Sequence, residues 1–110
     1  MKTNTSINGI FGANQQSLEG IAQAVKELGK TNSIKIVGFD SSYTIISDLE
    51  NGIIDAIVVQ RPYNMGYLSV KAAVDAIKGK KLPSNIYTNF QLITKENIYT
   101  PENEKLLFPF

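Results

Sequence analysis

Three residues with directional hydrogen-bonding side chains, Asn14, Asp40 and Gln60, stand where three short apolar runs end. The Asn14 and Gln60 amides donate and accept together, and the Asp40 carboxylate accepts from several donors. A neutral polyol offers the complementary surface, because each hydroxyl also donates and accepts. Burying polar groups without partners is costly, so a ligand rich in hydroxyls is matched by groups of this kind. Asp40 has no adjacent second carboxylate, which suits it to holding a ligand better than to acid–base work. The 110 residues include no His and no Cys, which removes imidazole and thiolate metal sites, Cys nucleophiles and every His-based triad. No catalytic residue, metal ligand or cofactor is therefore assigned, and the chain is read as a non-enzyme. Gly9 and Gly12 form neither GxGxxG nor a P-loop, so a dinucleotide or triphosphate site has no support.

The elements that must position these residues centre on Ile34–Tyr67. Ile34–Phe39 and Ala56–Val59 are short, β-branched runs that read as strands. Between them Tyr43–Asn51 places Ile45, Ile46 and Leu49 at helical spacing, with Gly52 to stop the helix. Upstream, Ile7–Gly12 is a Gly-weakened strand, and Gln15–Gly29 carries the apolar stripe Leu18, Ile21, Ala22, Val25 and Leu28. Downstream, Pro62 suits the first turn of a helix. Met65–Lys78 is then expected to turn Val70, Ala73, Val74 and Ile77 inward. Ile86–Thr94 alternates as a strand, and Lys95–Phe110 is a polar tail with an apolar end. The order βαβαβαβ predicts an α/β fold of three layers, a mostly parallel sheet flanked by helices, with right-handed crossovers. In such sheets ligands bind outside the carboxyl ends of the strands, where Asn14, Asp40 and Gln60 stand.

Each of the three also has an ordinary role. Asn14 is a natural N-cap for the Gln15–Gly29 helix, Asp40 can cap or turn the chain at Ser41-Ser42, and polar residues commonly close strands as Gln60 does. The functional reading rests on their convergence at equivalent strand ends. Tyr63 and Tyr67 suit a sugar or partner surface but equally packing, and Arg61 suits either an acidic ligand or solvent. Asp48 and Asp55 read as solvated helix-face and turn residues. Net charge is +1, with charges interspersed, so there is no electrostatic footprint for nucleic acid or an anionic membrane. No window approaches the roughly 18 apolar residues of a membrane span, and MKTNTSING has no apolar signal core.

The segments GIFGANQ, IKIVGFDSS, IDAIVVQRPYNMGYLSV and ITKEN resemble, in this order, the C-terminal portion of the type I periplasmic binding proteins. The likeness is to the ribose-binding-protein group, the sugar-binding subunits of ABC importers, and runs from about Ile7 to Leu107. It implies that Asn14, Asp40 and Gln60 are sugar hydrogen-bond partners, the same residues that strand-end reasoning selects. It also implies a monosaccharide-like ligand clamped between two lobes, an ABC permease as partner, and a parent protein that is periplasmic or lipid-anchored outside the cell. LacI-type transcriptional regulators share the fold and often GFD, and an effector domain of that kind is the alternative. On this resemblance residues 1–110 are the C-terminal part of one lobe, with no second domain. The rest is supplied by the missing N-terminal part of the same protein or by a homo-oligomer. The final strand would then lead toward the missing lobe with the tail packing there, and Ile7–Gly12 would become an exposed edge open to pairing.

Overall fold

A computed structural model describes residues 6–109. Eight elements follow, the first seven in the expected order: β1 Gly9–Gly12, α1 Gln15–Glu27, β2 Lys35–Phe39, α2 Tyr43–Glu50, β3 Ala56–Gln60, α3 Pro62–Ile77, β4 Phe90–Thr94 and α4 Pro101–Leu107. The sheet order is β1-β2-β3-β4. The β1–β2 and β2–β3 pairs are parallel, with Phe11 beside Val37 and Val37 beside Ala56. The chain divides into two compact units, one of residues 1–59 and 92–110 and one of residues 60–91.

The first unit holds the core. Its α1 packs against β1, β2 and α2. Leu18, Ala22 and Val25 of α1 and Ile45, Ile46 and Leu49 of α2 bury against Ile36, Ile57, Val59 and Ile93 of the strands. Successive strand residues point to opposite faces, and the face away from this core is less covered, with Phe39, Ala56 and Val58 half-buried. Phe11, Val37 and Leu92 there are 55%, 40% and 53% exposed. α1 seats close to the strands because Gly12 and Gly38 lack side chains. A Cβ at Gly12 would lie 2.8 Å from the Leu18 Cα, and one at Gly38 would lie 2.7 Å from Leu18 Cδ1 and 2.8 Å from the Gly12 carbonyl oxygen.

Two aspartates expected to be solvated are structural instead. Asp48 is buried, and its carboxylate takes Lys26 Nζ at 3.0 and 3.1 Å, tying α2 to α1. Asp55 accepts the Ile36 N–H at 2.9 Å and Lys35 Nζ at 2.9 Å, fixing the register where β2 and β3 begin. Both expectations overlooked that a short acidic side chain can serve a neighbouring strand or helix.

The C-terminal segment also differs from expectation. The strand begins at Phe90 rather than Ile86, and the expected polar tail contains α4. It turns back at Asn97, whose Oδ1 accepts the Thr94 N–H at 2.8 Å and whose Nδ2 donates to the Leu92 carbonyl at 3.1 Å. Ile98 and Leu107 then join the core of the first unit, because burying them there is worth more than the entropy of a free tail. Packing of the tail on another lobe is therefore corrected.

In the second unit α3 buries no residue. Val70, Val74 and Ile77, expected inward, are 66%, 43% and 87% exposed. Periodicity marks an amphipathic helix but does not supply the surface that covers it. On α3 Asp75 accepts from Lys71 and Lys80 at 2.8 and 2.9 Å. Hydrogen bonding to Lys71 and then to Lys80 holds its carboxyl below the usual range.

Candidate functional site at the strand ends

The site grows out of the turns that follow β1 and β2. Asn14 is the N-cap of α1 in a reciprocal capping box. Its Oδ1 accepts the Ser17 N–H at 2.9 Å while Ser17 Oγ accepts the Asn14 N–H at 3.1 Å. Half of the side chain is thus committed to the helix. The other half, Nδ2, is exposed and has no hydrogen-bond acceptor among the described residues.

Asp40 follows β2 with φ 74°, a left-handed backbone that Asp adopts more readily than most residues with a side chain. Its own N–H donates to the Val58 carbonyl at 2.9 Å, which holds the turn against β3. Its Oδ2 accepts the Gln15 N–H at 3.2 Å. Gln15 opens α1, where backbone N–H groups lack intrahelical acceptors, so a carboxylate is a fitting partner there. Asp40 and Asn14 are thereby brought together across two strand ends, with Asp40 Oδ1 left open. Capping of α2 falls to Ser42, whose Oγ accepts the Ile45 N–H at 3.2 Å; Asp40 does not cap it.

Gln60 closes β3 and is exposed, and its side chain has no hydrogen-bond partner among the described residues. It opens the second unit. Tyr63 and Tyr67 of that unit are 84% and 61% exposed, and Arg61 donates from Nη2 to Gln91 Oε1 at 3.4 Å.

Sequence reasoning missed the scaffold around these groups. Phe39, just before Asp40, packs edge-to-face on Phe11 with ring centroids 6.0 Å apart. Gln15, Glu19 and Ser42 link the two turns. The only signal in the sequence was Ser42 standing before an apolar helical run, a helix-start pattern. Among the described residues no group of three or more His, Cys, Asp or Glu could hold a metal ion. No helix there is long and apolar enough to cross a membrane.

The parallel strands β1, β2 and β3 end in Asn14, Asp40 and Gln60 or the turns that carry them, and α/β sheets bind ligands outside such strand ends. The chain belongs to the periplasmic binding protein domain family, which matches residues 1–81. It is 35% identical over 94 residues to the D-allose-binding periplasmic protein of Escherichia coli, covering 84% of this chain and 30% of that protein. It is 29% identical over 90 residues to the ribose import binding protein of Bacillus subtilis, covering 82% of this chain and 29% of that one. Among solved structures, an Agrobacterium vitis ABC transporter solute binding protein bound with α-D-tagatopyranose matches with TM-score 0.88 and 33% identity, over 96% of this chain and 36% of that one. An Agrobacterium radiobacter carbohydrate transporter solute binding protein in complex with D-arabinose matches with TM-score 0.85 and 37% identity, over 96% and 36%. The chain thus spans about a third of the length of these relatives.

Proposed function

We propose that this chain is part of the sugar-binding subunit of an ABC importer and that Asn14, Asp40 and Gln60 hydrogen-bond the hydroxyls of a monosaccharide. The observation that carries the reading is the pair of open polar groups, Asn14 Nδ2 and Asp40 Oδ1, held together through Gln15 at the ends of β1 and β2. Gln60 is assigned on its place at the end of β3. Relatives named for D-allose, ribose, D-arabinose and tagatose make an aldose or ketose the first ligand to try. The subunit performs no covalent chemistry; it holds the sugar and presents it to a membrane permease. It works outside the cytoplasmic membrane, as relatives with periplasmic names do. Residues 1–110 form the C-terminal part of the longer protein. A LacI-type effector domain is not favoured by these relatives.

Titration calorimetry of the full-length protein with D-allose, D-ribose, D-arabinose and D-tagatose tests the proposal. Asp40→Ala or Asn14→Ala should each weaken binding by about 1.5–3 kcal/mol, as when a ligand hydroxyl loses a charged or bidentate partner. Unchanged affinity in both variants overturns the site. This chain alone should bind at about millimolar strength or weaker, because affinity in a clamp comes from enclosing the ligand on both sides. A micromolar constant for the chain alone would contradict the two-sided site.

A further inference from the structure

Glu19 lies half-buried in the second turn of α1. Its Oε1 accepts two hydrogen bonds, from Ser42 Oγ at 2.6 Å and from Gln15 Nε2 at 3.2 Å. Both partners adjoin Asp40. Gln15 gives its backbone N–H to Asp40 Oδ2 at 3.2 Å, and Ser42, two residues past Asp40, caps α2 with the same oxygen that donates to Glu19. A hydroxyl–carboxylate bond of this length is charge-assisted and stronger than a neutral one. The loop it holds needs holding, since Asp40 sits at φ 74° in a region sparsely populated by residues with a Cβ. On one side the loop is tied by the Asp40 N–H to the Val58 carbonyl at 2.9 Å. On the other side it is tied to α1 by Glu19.

We propose that Glu19 is a positioning residue: through Ser42 and Gln15 it fixes the Asp40 carboxylate with Oδ2 on α1 and Oδ1 open to the sugar. The role in binding rests on the ligand function proposed for Asp40. The role in geometry does not, so the two are separately testable. Glu19 itself touches no ligand in this scheme. Its carboxylate is occupied on one oxygen by the two donors, and its effect on affinity passes through Asp40.

The first measurement is amide exchange on this chain without ligand. The Gln15 N–H is in the first turn of α1, so its protection reports the Asp40 carboxylate directly. Glu19→Ala should speed exchange at Gln15 and Ile45 about tenfold, whereas Glu19→Gln, which keeps an oxygen acceptor, should stay within about threefold. Ser42→Ala should reproduce Glu19→Ala and Ser42→Thr should not, which provides a second route if Glu19→Ala fails to fold. Unchanged exchange at both amides in Glu19→Ala, or in Ser42→Ala, overturns the inference.

The second measurement is a double-mutant cycle in the full-length protein, using D-allose and D-arabinose as probes. Glu19→Ala should weaken binding about 3–10-fold alone and less than about twofold in an Asp40→Ala background, because coupled residues are non-additive. A merely structural role lowers the melting temperature in both backgrounds without producing that coupling. Equal losses of affinity in the two backgrounds overturn the inference while leaving the sugar site standing. Loss of affinity in neither Asp40→Ala nor Asn14→Ala removes the sugar site, and the exchange data then decide the geometric role of Glu19 alone.

Discussion

Asp40 carries two demands at once, a left-handed backbone and a carboxylate that reaches the first N–H of α1. Asn meets both, since it tolerates positive φ and offers a carbonyl oxygen to Gln15, but it brings no charge to a ligand hydroxyl. A β-branched residue meets neither. Asp40→Asn should therefore leave the urea midpoint nearly unchanged while weakening sugar binding. Asp40→Val should cost about 1–3 kcal/mol of stability, the scale of backbone strain at such positions. Equal midpoints for the two variants would show that φ at Asp40 relaxes freely. Asn14 divides its duties differently. Its ordinary role as N-cap and its proposed ligand role use opposite ends of one amide, so the two readings do not compete.

Between elements, the tie with most consequence is Lys26–Asp48, which joins α1 to α2 behind the site. The Asp48 side chain is 8% exposed and that of Lys26 is 32% exposed, so the pair lies between the surface and buried extremes. Lys26→Met should cost about 1–2 kcal/mol, above an exposed pair and below the roughly 3–5 kcal/mol of breaking a fully buried one. Adding Asp48→Leu should recover part of that loss, because the stranded carboxylate is then gone; denaturant unfolding of the two variants reads both. Helices α1 and α2 were legible in the sequence to within two residues, since stripe and terminal Gly agree in both and Asn14 marks the start of α1. The strand ends were legible too, which is why Asn14 and Asp40 could be chosen without a structure. The short α4 was not, because seven residues carry too little periodicity, although Pro101 with Glu102 and Glu104 marks a helix start. Nor was Glu19, whose partner Ser42 is 23 positions away. Side-chain pairings over such spans follow from how elements pack, and no local pattern encodes them.

At the scale of the molecule, each unit leaves apolar surface without cover. In the first, Phe11, Val37 and Leu92 are exposed on the less covered face of the sheet. In the second, Tyr63, Tyr67, Val70, Val74 and Ile77 recur along α3 at alternating steps of four and three, the spacing of a helix-packing seam. Contiguous apolar patches of this kind mark contact surfaces. The chain spans only 30% of the D-allose-binding relative, and the remainder of such a fold is the cover we expect in the full-length protein. Deprived of it, the chain should associate with itself. The expected contacts are the Ile7–Gly12 edge, with β1 at the end of the sheet order, and Phe90, which is 66% exposed. Phe108, by contrast, packs against the core. Sedimentation velocity at about 100 μM should show dimers or larger species, given a dissociation constant on the order of 10 μM, or about 7 kcal/mol. Phe11→Lys in the first unit and Val70→Lys with Ile77→Lys in the second should each shift the population toward monomer. The folds themselves should stay intact, because none of these side chains belongs to the buried core. A monodisperse monomer at that concentration, with the Ile10 and Phe11 amides protected from exchange, would mean that the open surfaces are tolerated in water and that completion by another segment is unnecessary for this chain to stand alone.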